Sequence, residues 1–420
     1  MRDLRQSERV ACPHFPLCVG CPLVGVPYAV QLRGKQAELR ARLDAYPRLR
    51  PIEIDPPCPS QRPYGYRNHA KLVFRARRVR GGGREVLLGV YRPGTHSVLP
   101  AEGCIIHAPE LRPVLRSLRR EVEALGIPIY DERLRQGVLR YALARSSSVG
   151  REVHLTLVVA TPEVPRLAVL AARLRRAHPA LGALFLCVNP TTGNRLLSDD
   201  VRRVFGRASL VERFGGLELE SRPDAFLQAN VGVATRIYTT IVRWLDPAPA
   251  ENALDLYCGV GGAALAVAAY AHRVVGVEAS QAAIDCARAN QRRAARDNVR
   301  FVAGRAEDAI GFARRAGLER IDLVVANPPR TGLSVEVRET VVRLAPRRLA
   351  YVSCNPLSLA RDLDWFAERQ YTTRRLRVFD MLPQTPHVEA LGLVEAEPGA
   401  ASMESVKTAS GAGTAGTRGR

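Results

Sequence analysis

The feature that most constrains this chain is the regular alternation of short apolar runs with helical patterns between residues 222 and 396. Candidate strands fall at 253–256, 274–277, 299–302, 321–326 and 349–352, each separated from the next by a stretch long enough for a helix. Strands joined through helices pair in parallel, because only antiparallel neighbours can be linked by a tight turn. The expectation is a doubly wound α/β sheet, with the last two runs, 374–379 and 388–394, forming an antiparallel edge.

Upstream the rhythm is different. Residues 59–221 hold β-branched or alternating runs at 70–75, 85–91, 138–145, 152–159 and 183–188, interrupted by helical patterns at 109–125 and 164–177. That mixture reads as an α+β domain. The segment 1–58 packs three cysteines into ten positions and continues into an amphipathic helix at about 28–46. From 397 to 420 the tail has almost no apolar bulk and is expected to be disordered. The 420 residues thus divide into 1–58, 59–221, 222–396 and a tail 397–420, with no internal repeat.

Sixty-two basic residues face 41 acidic ones, a formal charge of +21. Only Lys35, Lys71 and Lys407 are lysines. Codon usage explains a preference for arginine over lysine, but not an excess of bases over acids. A field this positive favours a polyanionic partner, nucleic acid before membrane. No apolar run reaches the 18 residues of a membrane span, and residues 1–10 are charged, so a cytoplasmic protein is expected. Nine cysteines are too few for a disulfide scaffold; clustered in a reducing compartment, they point to metal or catalysis.

Four motifs carry chemistry. In Leu254-Asp255-Leu256-Tyr257-Cys258-Gly259-Val260-Gly261-Gly262 a strand enters a Gly-rich turn and then an Ala-rich helix, and Glu278 follows 19 residues after Gly259 at the end of the next strand. An acid at that distance is placed to hold a ribose diol. The glycines do not follow the G-x-G-x-x-G spacing of a nicotinamide site, so S-adenosylmethionine is the better ligand. Asn327-Pro328-Pro329-Arg330 follows the fourth strand, where the crevice of such a sheet opens. Amine methyltransferases carry an aromatic after these prolines; Arg330 stands there instead. Ser353-Cys354-Asn355-Pro356 places a cysteine at the end of a central strand, before a helix start that stabilises a thiolate. Pro386-His387-Val388-Glu389 supplies a carboxylate 35 residues beyond Cys354, a candidate general base for a candidate nucleophile.

Together DLYCGVGG, NPPRTGL, SCNP and QTPHVE, in this order, resemble the RNA uracil-5-methyltransferases, which use S-adenosylmethionine to make 5-methyluridine. The stretch 224–230, DAFLQAN, is similar to that family's F-x-Q-x-N element, and the matches span about residues 12 to 395. The resemblance implies a Rossmann-like class I methyltransferase domain preceded by an RNA-binding α+β domain. It further implies Cys354 as nucleophile at uracil C6, Glu389 as the base removing the C5 proton, and Gln228, Tyr257, Gly259, Gly262, Glu278 and Asn327 at the cofactor pocket. The family usually has Phe at position 257 and often Asp at 327, so Asn327 removes a charge there.

Cys12-x5-Cys18-x2-Cys21, with Cys104 as a distant fourth thiol, could hold zinc or an iron–sulfur cluster, and Cys58 or His14 could compete as ligands. The ribosomal-RNA branch of the resembled family carries such a quartet around a 4Fe-4S cluster, which favours 23S ribosomal RNA over tRNA. Cys187, Cys258 and Cys286 read as structural. Some members have an N-terminal oligonucleotide-binding barrel, which is expected to be missing here. Tyr64-Gly65-Tyr66-Arg67-Asn68-His69-Ala70-Lys71, with aromatics among bases, is then the best local candidate for RNA contact, and the chain is expected to act as a monomer. Competing readings are the same chemistry on tRNA, a non-catalytic RNA-binding or assembly factor, and an amine methyltransferase.

Overall fold

The strand–helix alternation beyond residue 222 becomes one eight-stranded sheet. Its order across the sheet is Ile54–Cys58, Tyr371–Phe379, Glu389–Ala396, Arg348–Ser353, Leu323–Ala326, Asn252–Leu256, Arg273–Glu278, Val299–Ala303. The computed structural model describes residues 12–79, 83–191 and 196–397. The charged N-terminal stretch 1–10 and the tail from 398 onward, both read from sequence, lie outside the described residues.

The five strands from Arg348–Ser353 to Val299–Ala303 are parallel to one another. They are apolar because helices cover both faces. Val231–Leu245, Gly262–Val267 and Gln281–Arg293 pack one face, with Ile237, Ile241, Leu265 and Ile284 fully or nearly buried. Tyr28–Asp44, Ala309–Arg315, Val335–Leu344 and Pro356–Ala367 pack the other, burying Leu39, Leu43, Val341 and Phe366. Each such side chain contributes about 1.5–3 kcal/mol. Asn230, Ser280, Ser334 and Asn355 cap their helices by accepting from backbone N–H groups two or three residues on.

The antiparallel pair forms as expected but does not sit at the edge: Ile54–Cys58 pairs in parallel outside Tyr371–Phe379. This strand reads as a turn because it carries Pro56 and Pro57. Prolines are tolerated on an edge strand, whose outer side needs no donors.

A second sheet of seven strands runs Val98–Pro100, Arg84–Tyr91, His69–Arg78, Leu139–Ser146, Val153–Val159, Leu181–Val188, Val201–Gly206. Its neighbours are antiparallel except Val153–Val159 and Leu181–Val188, which the helix Leu167–Ala177 connects in parallel. That helix and Leu111–Ala124 cover its apolar face. The hairpin Leu210–Phe214/Leu217–Ser221 buries Phe214 and Leu219 in the core of the first sheet. We propose a division that departs from the sequence expectation by grouping residues 28–58 and this hairpin with the eight-stranded sheet they pack on.

Candidate active site and cysteine cavity

The candidate site lies at the carboxyl ends of the parallel strands. After Asn252–Leu256 the chain turns sharply, with Tyr257, Gly259 and Gly261 all in the left-handed region (φ 61°, 54° and 90°). A Cβ on Gly262 would lie 2.6 Å from the Tyr238 hydroxyl, so only glycine fits where this turn enters its helix. A Cβ on Gly259 would meet nothing within 4 Å, leaving the outer side of the turn open to a ligand. Glu278 braces the turn: its Oε2 accepts from Gly259 N (3.2 Å) and its Oε1 from Ser280 N (2.9 Å). Beneath it, buried Asp255 accepts from Ala264 N (2.9 Å), and burial pushes its carboxyl up to about 8.

Asn327 N donates to Leu256 O (3.3 Å), tying the Asn-Pro-Pro-Arg turn to the glycine turn. Gln228 is half-buried, and its carbonyl accepts from Asn68 Nδ2 (3.4 Å) of the seven-stranded sheet. Asn230 donates through Nδ2 to Ser60 Oγ (3.1 Å) and Met381 O (3.2 Å). The F-x-Q-x-N element therefore joins three parts of the chain. Of the cofactor candidates read from sequence, Tyr257, Gly259, Gly262, Glu278 and Asn327 lie on or against the glycine turn.

Cys354 and Glu389, 35 residues apart, become neighbours through sheet register. Ser353 pairs with Ala390 in the antiparallel ladder, so the next position along sets Cys354 opposite Glu389. Opposed Cβ atoms on such strands are roughly 4.5–5.5 Å apart. Cys354 is half-buried; burial and the Glu389 carboxylate raise its thiol, while a hydrogen bond and charge from Arg330 oppose them. Burial lifts Glu389 to about 7, again against Arg330. Arg330 is held in place: its carbonyl accepts from Asn355 Nδ2 (2.9 Å) and Ser358 Oγ (3.3 Å), and its Nη2 lies 3.1 Å from His387 Nδ1. Sequence reasoning used Arg330 only to discount amine methylation. Its position beside Cys354 comes from the packing of two loops, although a charged residue ending a crevice-facing turn was signal enough to weigh it. Below the loops, Asp362 accepts from Tyr351 Oη (2.6 Å) and Leu333 N (2.9 Å), binding both turns to the helix Pro356–Ala367. A cavity of about 750 Å³ opens over Cys354, Arg330 and His387, walled on its far side by Val26, Val30 and Lys35.

A second cavity, of about 100 Å³, is lined by Cys12, Cys18, Cys21 and Cys104 together. Cys21 is buried, and its thiol is pushed up to about 12 by burial and then by the other three cysteines. Among the described residues no three donors converge tightly enough for a single metal ion. Tetrahedral zinc would need its sulfurs within about 4 Å of one another, given a zinc–sulfur bond of about 2.3 Å. Three buried polar atoms of cavity-lining residues also lack partners: His14 Nε2, Arg67 Nε and His107 Nδ1. Four thiols sharing one cavity with unpartnered polar atoms beside them fit a bound group at this place. Cys187, Cys258 and Cys286 are buried, in strand, turn and helix; Cys58 does not line this cavity, whereas His14 does.

The stretch 64–71 corrects an expectation. Tyr66 is 7% exposed and donates to Pro383 O (3.2 Å), while Tyr64 packs at the cysteine cavity that Arg67 and Lys71 line. Tyr66 is consumed by internal packing, and Tyr64 is partly so. Phe226, two residues before Gln228, is 67% exposed. Among the described residues, no helix is long and apolar enough to cross a membrane.

Comparison with known proteins places this architecture among methyltransferases. The structure resembles the crystal structure of Pyrococcus abyssi tRNA (uracil-54, C5)-methyltransferase in complex with S-adenosyl-L-homocysteine. The TM-score is 0.71 at 24% identity, over 90% of this chain and 86% of the other. Residues 216–397 match the tRNA (uracil-5-)-methyltransferase family. An uncharacterized RNA methyltransferase of Geobacter sulfurreducens is 35% identical over 384 residues, 91% of this chain and 76% of the relative. One from Halalkalibacterium halodurans is 30% identical, over 91% and 82%. The chain belongs to the RNA uracil-5-methyltransferase family.

Proposed function

We propose that this protein methylates C5 of uracil in RNA, with Cys354 as nucleophile and Glu389 as base. The observation that carries the reading is the register that sets Cys354 opposite Glu389, with Arg330 beside both, in a cavity large enough for an unstacked nucleotide. Uracil C5 is too weak a nucleophile to take a methyl group unaided. Cys354 Sγ forms a bond to C6, and the C5=C6 electrons move to C5 and its conjugated carbonyl. S-adenosylmethionine, when bound, supplies an electrophilic methyl group, which C5 takes. The Glu389 carboxylate then accepts the C5 proton, the C–H electrons re-form C5=C6, and the C6–S pair leaves with Cys354 as thiolate.

Gln228, Tyr257, Gly259, Gly262, Glu278 and Asn327 would hold the methyl donor. The open face of Gly259 and the half-buried Glu278 carboxylate support that fit. Cys12, Cys18, Cys21 and Cys104 would hold a 4Fe-4S cluster, which cross-links the N-terminal loop to the strand-bearing segment around Cys104.

The cysteine quartet favours ribosomal RNA, 23S in particular. The matching family's description and the Pyrococcus abyssi enzyme favour tRNA as the second reading. Mass spectrometric mapping of 5-methyluridine in 23S rRNA and tRNA, from a deletion strain with and without the complementing gene, separates them. Loss of one or more 23S sites is expected; loss confined to tRNA establishes the second reading, and no lost 5-methyluridine overturns both.

A further inference from the structure

The helix Tyr28–Asp44 buries one face, Gln31, Lys35, Leu39 and Leu43. Its second half is apolar and packs in the core beside Phe366. Its first half is polar, yet Gln31 and Lys35 are only 3% and 2% exposed. Buried polar groups need partners; Gln31 Nε2 donates to Leu23 O (3.2 Å) and Val26 O (2.9 Å), and the remaining partners of Gln31 and Lys35 lie on one loop, 380–388. Lys35 Nζ donates to Asp380 Oδ1 (2.5 Å) and Leu382 O (3.0 Å). Tyr28 Oη donates to Asp380 Oδ2 (2.6 Å). Gln31 and Gln384 exchange hydrogen bonds in both directions (2.9 and 3.0 Å). The loop ends at Glu389, the first residue of its strand. Gln384 holds a left-handed φ of 68°, a conformation that a non-glycine residue keeps only when its surroundings impose it.

We propose that Lys35, through its ion pair with Asp380, is a positioning residue for the catalytic base: it fixes the loop that sets Glu389 opposite Cys354. The proposal rests on the reading of Glu389 as the base. A buried ion pair seldom adds stability over an apolar pair of the same size, whereas it defines geometry sharply. Composition gives a second, independent reason. Arginine supplies 59 of the 62 basic residues, so a lysine kept here marks a site that an arginine does not fill. The ammonium meets one carboxylate oxygen and one carbonyl; a planar five-donor fork is too large for that pair of acceptors.

Lys35→Met, Lys35→Arg and the double variant Lys35→Met/Asp380→Leu test this with an ordinary uracil-containing RNA and S-adenosylmethionine. The readouts are turnover, thermal stability and the fraction of protein in a denaturant-stable RNA adduct. A displaced base leaves the nucleophile working, so turnover should fall about 10²-fold while methylated adduct accumulates, because the C5 proton is not removed. Lys35→Arg should not restore turnover. The double variant leaves no unpaired charge, so it should melt near the native protein and still turn over slowly with adduct. Recovery of turnover in the double variant, or parallel loss of turnover and adduct in folded protein, overturns the proposal. Failure of Glu389→Gln to accumulate adduct instead sinks the base assignment itself.

Discussion

Two groups of cysteines in this chain are built for opposite ends. Cys354 stands alone at the rim of a cavity of about 750 Å³, with one guanidinium and one carboxylate beside it. Cys12, Cys18, Cys21 and Cys104 share about 100 Å³, closed by Val24, Tyr66 and Ile106. Around Cys354 there is a cation to hold the thiolate and an acid to move a proton. Around Cys21 of the quartet stand the other three thiols and Arg67, a setting in which the sulfurs would lose their protons on binding the proposed metal group. The environment, not the residue, sets the chemistry. The regions are also joined. Leu23 N donates to Gln384 O (3.1 Å) and Tyr66 Oη to Pro383 O (3.2 Å), both on the loop leading to Glu389.

The largest contrast should come from removing single thiols. Cys354→Ala should lower methylation by on the order of 10⁴-fold while leaving S-adenosylmethionine binding by calorimetry within a few-fold of native. Cys21→Ser should act in the reverse manner, abolishing bound iron by metal analysis and lowering the melting temperature. If Cys21→Ser retained full iron, the quartet would not be the cluster site. Glu389→Gln should cost about 10²- to 10⁴-fold in turnover.

The pH dependence of that site follows from its burial. Glu389 must be ionised to accept the C5 proton, so single-turnover rates should rise through about pH 7, and the raised Cys354 thiol should steepen the acid limb. Stability runs the other way. Folding favours protonated Glu389, whose contribution is intact below the ordinary 4.5 and is lost as pH rises through about 7. Calorimetric melting of Glu389→Gln should therefore exceed that of native protein above pH 7 and match it below pH 4. The smallest effect is expected on the cofactor rim: Glu278→Ala should weaken S-adenosylmethionine about tenfold, the worth of one or two hydrogen bonds.

Much of this was legible because strand–helix alternation and motif position are local properties. The five central parallel strands of the eight-stranded sheet were visible as apolar runs, and Cys354 and Glu389 were visible as polar residues at strand ends. What was not legible depends on pairing between distant segments. The strand Ile54–Cys58 is disguised by two prolines, and the edge position of the antiparallel pair was misplaced for that reason. Arg330 gains its place from Asn355 and Ser358, 25 and 28 residues away. Tyr66 looks like a stacking aromatic, yet it is buried and bonded to Pro383, and no local pattern records a contact spanning 317 residues.

The central claim is that Cys354 attacks uracil C6 and that the C5 proton must leave before it can be released. RNA carrying 5-fluorouracil tests this directly, since fluorine at C5 cannot be removed as a proton. Incubated with S-adenosylmethionine, the native protein should form a denaturant-stable adduct, with tandem mass spectrometry placing the RNA on Cys354, and Cys354→Ala should form none. An adduct mapped to another cysteine, or no adduct with RNA that the protein methylates, would contradict the account.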